Sequence, residues 1–304
     1  MNPDNPYQAP QADVETSAGD TQTQHVHPAR RVRAGRGVAW FNESFVNVLR
    51  STPGWFVFGL LFAVAYLPVL ISSIALESSL RAAHMLALST YYIPLAFLTG
   101  GAMYACHQGR FRIVNVWRGM TQAKGPLLVL GLWYAFLGLP GSYVSSSPLV
   151  IEADPVAYQT LFENDPGRAI AVVLAVLVYY TLFIMAAYFA PALVSVGGVS
   201  PAPALWRSFK AVMRNTLPFL LLGLVILGLG IALIFLFGIA MFIAISVAGI
   251  GVLSAPGLEQ DPSMAIIGLI AIFLYVLFLI GVLAVGAQIQ YAGFKDVFLD
   301  NADD

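Results

Sequence analysis

Charge is what this sequence has least of. Only 10% of its 304 residues are Asp, Glu, Lys or Arg, against 59% that are hydrophobic, whereas a soluble domain carries roughly a quarter charged residues. That balance excludes a water-soluble globular core. Cysteine is nearly absent as well, and the lone Cys106 excludes an internal disulfide framework and any zinc cluster built on cysteine pairs. Concentrated positive charge is missing too: net charge is −1 and the basic residues are spread over separate segments, so a nucleic acid has no basic face to bind. HExxH, GxSxG, GxxxxGK[ST] and GxGxxG do not occur in a suitable context, because the Gly-rich stretches lie inside long apolar runs. The lone histidines, His84 and His107 beside Cys106, and the pair His25 and His27 fall short of the ligand count a metal site needs. No catalytic residue, cofactor site or metal site is expected, and the protein reads as no enzyme.

Long apolar runs are abundant. They lie near 54–75, 86–105, 126–146, 169–196, 217–250 and 264–292, each free of Asp, Glu, Lys and Arg. About 20 such residues cross a hydrocarbon core of about 30 Å, and backbone polar groups in lipid must pair internally, so the runs are expected to be helices. Asp165-Pro166, Asp261-Pro262 and Thr52-Pro53 supply N-cap and first-turn proline signals at three of the starts. The fifth run is long for one crossing and short for two, and it reads as one helix, tilted or kinked.

Orientation follows from the cations. Thirteen of the fifteen Lys and Arg residues fall in residues 1–53, 106–125, 198–216 and the tail from Lys295, while the connections between hold only Arg81 and Arg168 against seven carboxylates. The positive-inside rule then places both termini in the cytoplasm of a multi-pass protein with an even number of crossings. Arg outnumbers Lys twelve to three, a hint of a GC-rich bacterial genome. Residues 1–37 are polar and lack apolar periodicity; they read as a disordered cytoplasmic tail without a cleaved signal peptide. The division expected is a tail over 1–37, a six-helix membrane domain over 38–298 and a short acidic tail over 299–304.

Amphipathic spacing appears in the cytoplasmic segments. Phe41, Phe45, Val48 and Leu49 make one helical stripe, Leu205, Phe209, Val212 and Met213 repeat it, and Ile113, Val116, Trp117 and Met120 give a looser version. Ser44-Phe45 aligns with Ser208-Phe209, Val48-Leu49-Arg50 with Val212-Met213-Arg214, and Gly59 with both Gly131 and Gly223. The fold expected is all-α: six transmembrane helices, three short cytoplasmic amphipathic helices, and a threefold internal repeat as a candidate, its units in like orientation about an axis along the membrane normal. Phe45, Trp117 and Phe209, with Arg50, Arg118, Lys210 and Arg214, are the expected interfacial anchors, the rings in the headgroup layer and the cations on anionic lipid.

Hydroxyls are the polar groups left at depth. Tyr91, Tyr92, Tyr179 and Tyr180 are the candidate contacts for a lipid or solute, although interhelical bonding, at about 0.6 kcal/mol each, is the plainer role. Membrane lipids are the expected partners, together with a membrane protein of unknown identity.

A resemblance adds to this reading. The stretches Tyr188-Phe189-Ala190-Pro191-Ala192-Leu193-Val194, Gly198-Val199-Ser200-Pro201, Ala204-Leu205-Trp206-Arg207-Ser208-Phe209 and Arg214-Asn215-Thr216-Leu217-Pro218-Phe219 resemble an uncharacterised family of six-helix bacterial inner-membrane proteins. A more distant likeness is to the YciC-type proteins and to the membrane domain of some glycerophosphodiester phosphodiesterases. Gly35-Arg36-Gly37 to Trp40 and Tyr291-Ala292-Gly293-Phe294-Lys295-Asp296-Val297-Phe298 extend the likeness over about residues 30–300. It implies an inner-membrane location and brings no established activity. The leading expectation is a non-enzymatic protein acting through helix packing and partner contacts in envelope organisation; the alternative is a carrier for an apolar or lipid-like solute.

Overall fold

Four helices have the length and hydropathy to cross a bilayer: Thr52–Ser72, Met85–His107, Ala169–Ser195 and Val276–Phe298. Two bent pairs raise the number to six if each is one span, Ile113–Gln122 with Lys124–Gly141, turned by 85°, and Pro201–Arg214 with Thr216–Ala232, turned by 80°. The structure, a computed structural model, describes residues 26–74, 81–145, 166–232 and 262–299, with 235 and 239. Among them the helices run α1 (Arg36–Arg50), α2 (Thr52–Ile74), α3 (Arg81–His107), α4 (Ile113–Gln122), α5 (Lys124–Ser145), α6 (Pro166–Ala187), α7 (Ala190–Ser195), α8 (Pro201–Arg214), α9 (Thr216–Ala232) and α10 (Pro262–Phe298). No strand occurs among these residues. The acidic connections, the fifth run beyond 239 and residues 300–304 lie outside them.

Proline starts α6, α8 and α10, as their missing N–H and fixed φ allow. The cap expected at Thr52 is not formed, and Asp165 and Asp261 lie outside the described residues. Thr52 Oγ1 donates backward to the carbonyls of Val48 and Leu49, at 3.4 and 3.1 Å, and Ser200 makes no side-chain cap bond. The elbows before α4 and α8 each contain a left-handed glycine, Gly109 at φ 78° and Gly198 at φ 62°, a backbone state that costs L side chains about 1–2 kcal/mol.

Each short helix lies on a long one. α1 packs on α10, α4 on α3, and α8 on α6. The long helices nest through glycine: a Cβ on Gly131 of α5 would meet the Ile93 Cα of α3 at 2.7 Å, and one on Gly59 of α2 would meet Ile280 Cγ1 of α10 at 2.5 Å. Around a Cβ on Gly223, the third aligned position, no atom from another part of the described residues lies within 4 Å. Most of the buried hydrophobic residues form one cluster, with Trp40, Trp55, Phe189, Phe294 and Phe298 among its largest members.

Two expectations need correction. Residues 26–35 belong to the fold rather than to a free tail: the His27 and Arg30 amides donate to the carbonyls of Phe298 and Val297, both at 3.0 Å. The fourth run is also not one unbroken helix. Its ladder opens at Tyr188 and Phe189, because Pro191 has no N–H for the Ala187 carbonyl and its ring crowds that carbonyl.

Candidate functional site

A broken helix inside an apolar body exposes backbone groups that must find partners, since each unpaired one costs on the order of 1–3 kcal/mol. Here three neighbouring helices supply them. The Ser208 hydroxyl of α8 accepts from the Phe189 amide and donates to the Met185 carbonyl, both at 2.9 Å. A regular helix would have paired Phe189 with Met185 directly, so Ser208 is inserted into one rung of the ladder. The Ala187 carbonyl, the one Pro191 orphans, takes the Tyr134 hydroxyl of α5 at 3.0 Å. The Tyr188 carbonyl takes the Gln290 amide of α10. Ser208, Phe189 and Ala190 are fully buried, and the rings of Tyr188, Phe189, Phe219 and Phe298 pack edge to face around the break.

A second polar cluster closes the gap between α10 and α1. Asp296, buried near the end of α10, accepts from Arg36 Nε at 2.5 Å and from the buried Trp40 indole at 2.7 Å. The hydrogen bond it donates to Asp296 holds the Arg36 guanidinium above its ordinary pKa, and Arg36 also meets Glu43 at 3.2 Å. Asn215, buried at the α8–α9 bend, accepts from the Val32 amide at 2.8 Å and donates to the Arg30 and Ala211 carbonyls at 3.0 and 2.9 Å. Residues 26–36 thereby strap the α8–α9 bend to the end of α10. Sequence reading missed Asp296, Asn215 and Ser208 as structural polar groups. A carboxylate continuing an apolar helix was the available signal for Asp296.

The four candidate tyrosines do not form one site. Tyr91 faces α2, with its ring 5.1 Å from Tyr66 and 6.1 Å from Phe62. Tyr92 faces the other way, 5.7 Å from Phe183 and against Gly138. Tyr179 and Tyr180 lie 5.8 Å apart and line a cavity of about 190 Å³ with Pro140, Gly141, Ala175 and Val176. That is below the 300–1,000 Å³ usual for small-molecule sites. Tyr180 fills the space over Gly141, and the buried Tyr179 hydroxyl has no partner among the described residues.

The candidate anchors are mostly outward. Phe45 is 49% exposed and Trp117 65%, Phe209 is half-buried, and Arg50, Arg118, Lys210 and Arg214 are exposed. Arg214 donates to the Ala29 carbonyl at 2.9 Å, and Lys210 Nζ sits 4.9 Å above the Trp206 ring. A groove of about 370 Å³ runs beside them, lined by Trp133, Leu137, Leu182, Ala186, Trp206 and Phe209 among others. His107 Nδ1 lies 3.0 Å from the Tyr291 hydroxyl, next to the buried Cys106. No group of three or more His, Cys, Asp or Glu able to hold a metal ion occurs among the described residues. No family model, curated protein or solved structure matches the chain. What the geometry and hydropathy together establish is an all-helical, multi-pass membrane protein with four to six candidate spans.

Proposed function

We propose that this is a six-span, non-enzymatic protein of a bacterial inner membrane, with both termini cytoplasmic, that acts through helix packing and partner contacts in envelope organisation. The observation that carries the reading is the occupied break in the fourth run. Broken helices in transporters present freed backbone groups to a substrate or ion, whereas Ser208, Tyr134 and Gln290 here spend those groups on joining helices. The bends of 85° and 80° support six spans with the short helices lying along the inner headgroup layer. The docking of α1 on α10, α4 on α3 and α8 on α6 supports the threefold repeat, since each short helix then rests on the second long helix of the preceding unit.

One observation favours the carrier reading, the groove of about 370 Å³ between α5, α6 and α8. Two measurements on the full chain separate the readings. Single cysteines at Ser147, Glu163 and Gln260, in a Cys106-free background, react with an impermeant thiol reagent outside intact cells, while those at Thr23, Gln122 and Asp303 do not; labelling of Gln122 overturns the six-span topology. Reconstituted vesicles with fluorescent phospholipid in one leaflet show no faster exchange than empty vesicles. Faster exchange would replace packing with carriage.

A further inference from the structure

The groove between α5, α6 and α8 is apolar along its walls and cationic at one rim. Trp133 and Leu137 of α5, Leu182 and Ala186 of α6, and Ala202, Leu205, Trp206 and Phe209 of α8 line it. Trp206 and Phe209 stack nearly parallel, 9° apart with centroids at 5.6 Å, and form a flat wall. Lys210 stands over the Trp206 ring at 4.9 Å, and Arg207, three residues before it and so its neighbour on the helix surface, is exposed. Neither forms an ion pair among the described residues, and no carboxylate lines the groove. Apolar walls would take hydrocarbon, and two cations with no ion partner among the described residues would take an anion. A single ligand satisfies both only if it is amphipathic and negatively charged.

We propose that this groove is a binding site for one anionic glycerophospholipid, an acyl chain lying against Trp133, Leu137, Leu182 and Ala186 and the phosphate held by Lys210 and Arg207. The proposal rests on the membrane-embedded reading and holds for scaffold and carrier alike, because it concerns residence and not movement. Charge complementarity selects the occupant. A neutral solute would leave the cations unused, and a second protein helix would need an acidic residue to meet them. The ring under Lys210 holds its ammonium beside the groove mouth through cation–π attraction, which strengthens where water is displaced.

Native mass spectrometry of the full-length chain, purified in non-ionic detergent, tests this with added phosphatidylglycerol and phosphatidylcholine of matched acyl chains. Phosphatidylglycerol is expected to form a one-to-one adduct in preference to phosphatidylcholine. Lys210→Gln, which keeps most of the stem over Trp206, should weaken the phosphatidylglycerol adduct about fivefold, the worth of one basic residue at a membrane surface, and leave the phosphatidylcholine signal unchanged. Ala202→Trp fills the groove from the first turn of α8 and should weaken both adducts; unchanged thermal unfolding confirms that the variant is folded, and Ala186→Leu fills it from α6 should that variant not fold. Equal binding of the two lipids by the wild type, or adducts that survive both groove-filling variants, would overturn the site. Failure of the cysteine-labelling topology would instead strike the six-span reading, and the two results are read separately.

Discussion

Replacing Ser208 with Ala removes one hydroxyl and orphans two backbone groups. Ser208 is fully buried, and its oxygen joins the Phe189 amide to the Met185 carbonyl at 2.9 Å on each side. An unsatisfied buried group costs about 1–3 kcal/mol. Side-chain bonds within membranes average nearer 0.6 kcal/mol, because the unfolded chain in lipid also finds partners. The methyl that replaces the hydroxyl offers the amide no acceptor, so a loss of about 1–2 kcal/mol is expected. Ser195→Ala is the comparison, since among the described residues Ser195 bonds only back to the Pro191 carbonyl one turn earlier; its loss should be under about 0.5 kcal/mol. The cause can be isolated further. Pro191→Ala restores the backbone N–H that proline denies the Ala187 carbonyl and lets Phe189 reach Met185 directly, so Ser208→Ala should cost much less in that background. Steric-trap unfolding in bicelles gives each free energy without relying on irreversible melting. Strict additivity of the two changes would refute the claim that Ser208 completes a ladder broken by proline.

Three further outcomes follow from named contacts. Asp296→Asn keeps an acceptor for the Trp40 indole and loses only its charge toward the partly exposed Arg36, worth under about 1 kcal/mol, whereas Asp296→Ala leaves a buried N–H unpaired for about 2 kcal/mol more. Trypsin cleavage after Arg31 and Arg33 should accelerate for Ala and change little for Asn; equal rates would mean Asp296 does not hold the 26–36 strap. Gly131→Ala drives a methyl to 2.7 Å from the Ile93 backbone and should separate α5 from α3, while Gly223→Ala meets open space and should be neutral or slightly stabilising; similar melting temperatures for the two would contradict the packing. Tyr179→Phe removes a hydroxyl with no partner among the described residues and should leave the melting temperature unchanged or raised, and a clear loss would reveal a bond to a residue outside them.

Composition and charge order alone determined that this chain lives in a membrane, that it is helical, and where its apolar runs fall. Those properties are written residue by residue: hydrocarbon tolerates a helix of apolar residues and little else, and prolines at 166, 201 and 262 start helices because a first turn needs no donor from them. The stripes at 36–50, 113–122 and 201–214 were legible for the same local reason, as three short helices at those places. Facing partners were not legible. Spacing put Ala211 off the apolar stripe of α8, yet the fold buries it completely, because α8 is covered by more than one neighbour. Spacing also paired Tyr91 with Tyr92, and consecutive residues on a helix point about 100° apart, so one met α2 and the other met the α5–α6 side. The break at Tyr188 could be suspected from Pro191, but which groups would fill it depended on Ser208, Tyr134 and Gln290, whose bonds span 23, 53 and 102 residues. Only the packed structure decides such bonds, since a hydrogen bond reaches no farther than about 3.5 Å and sequence separation carries no record of that distance.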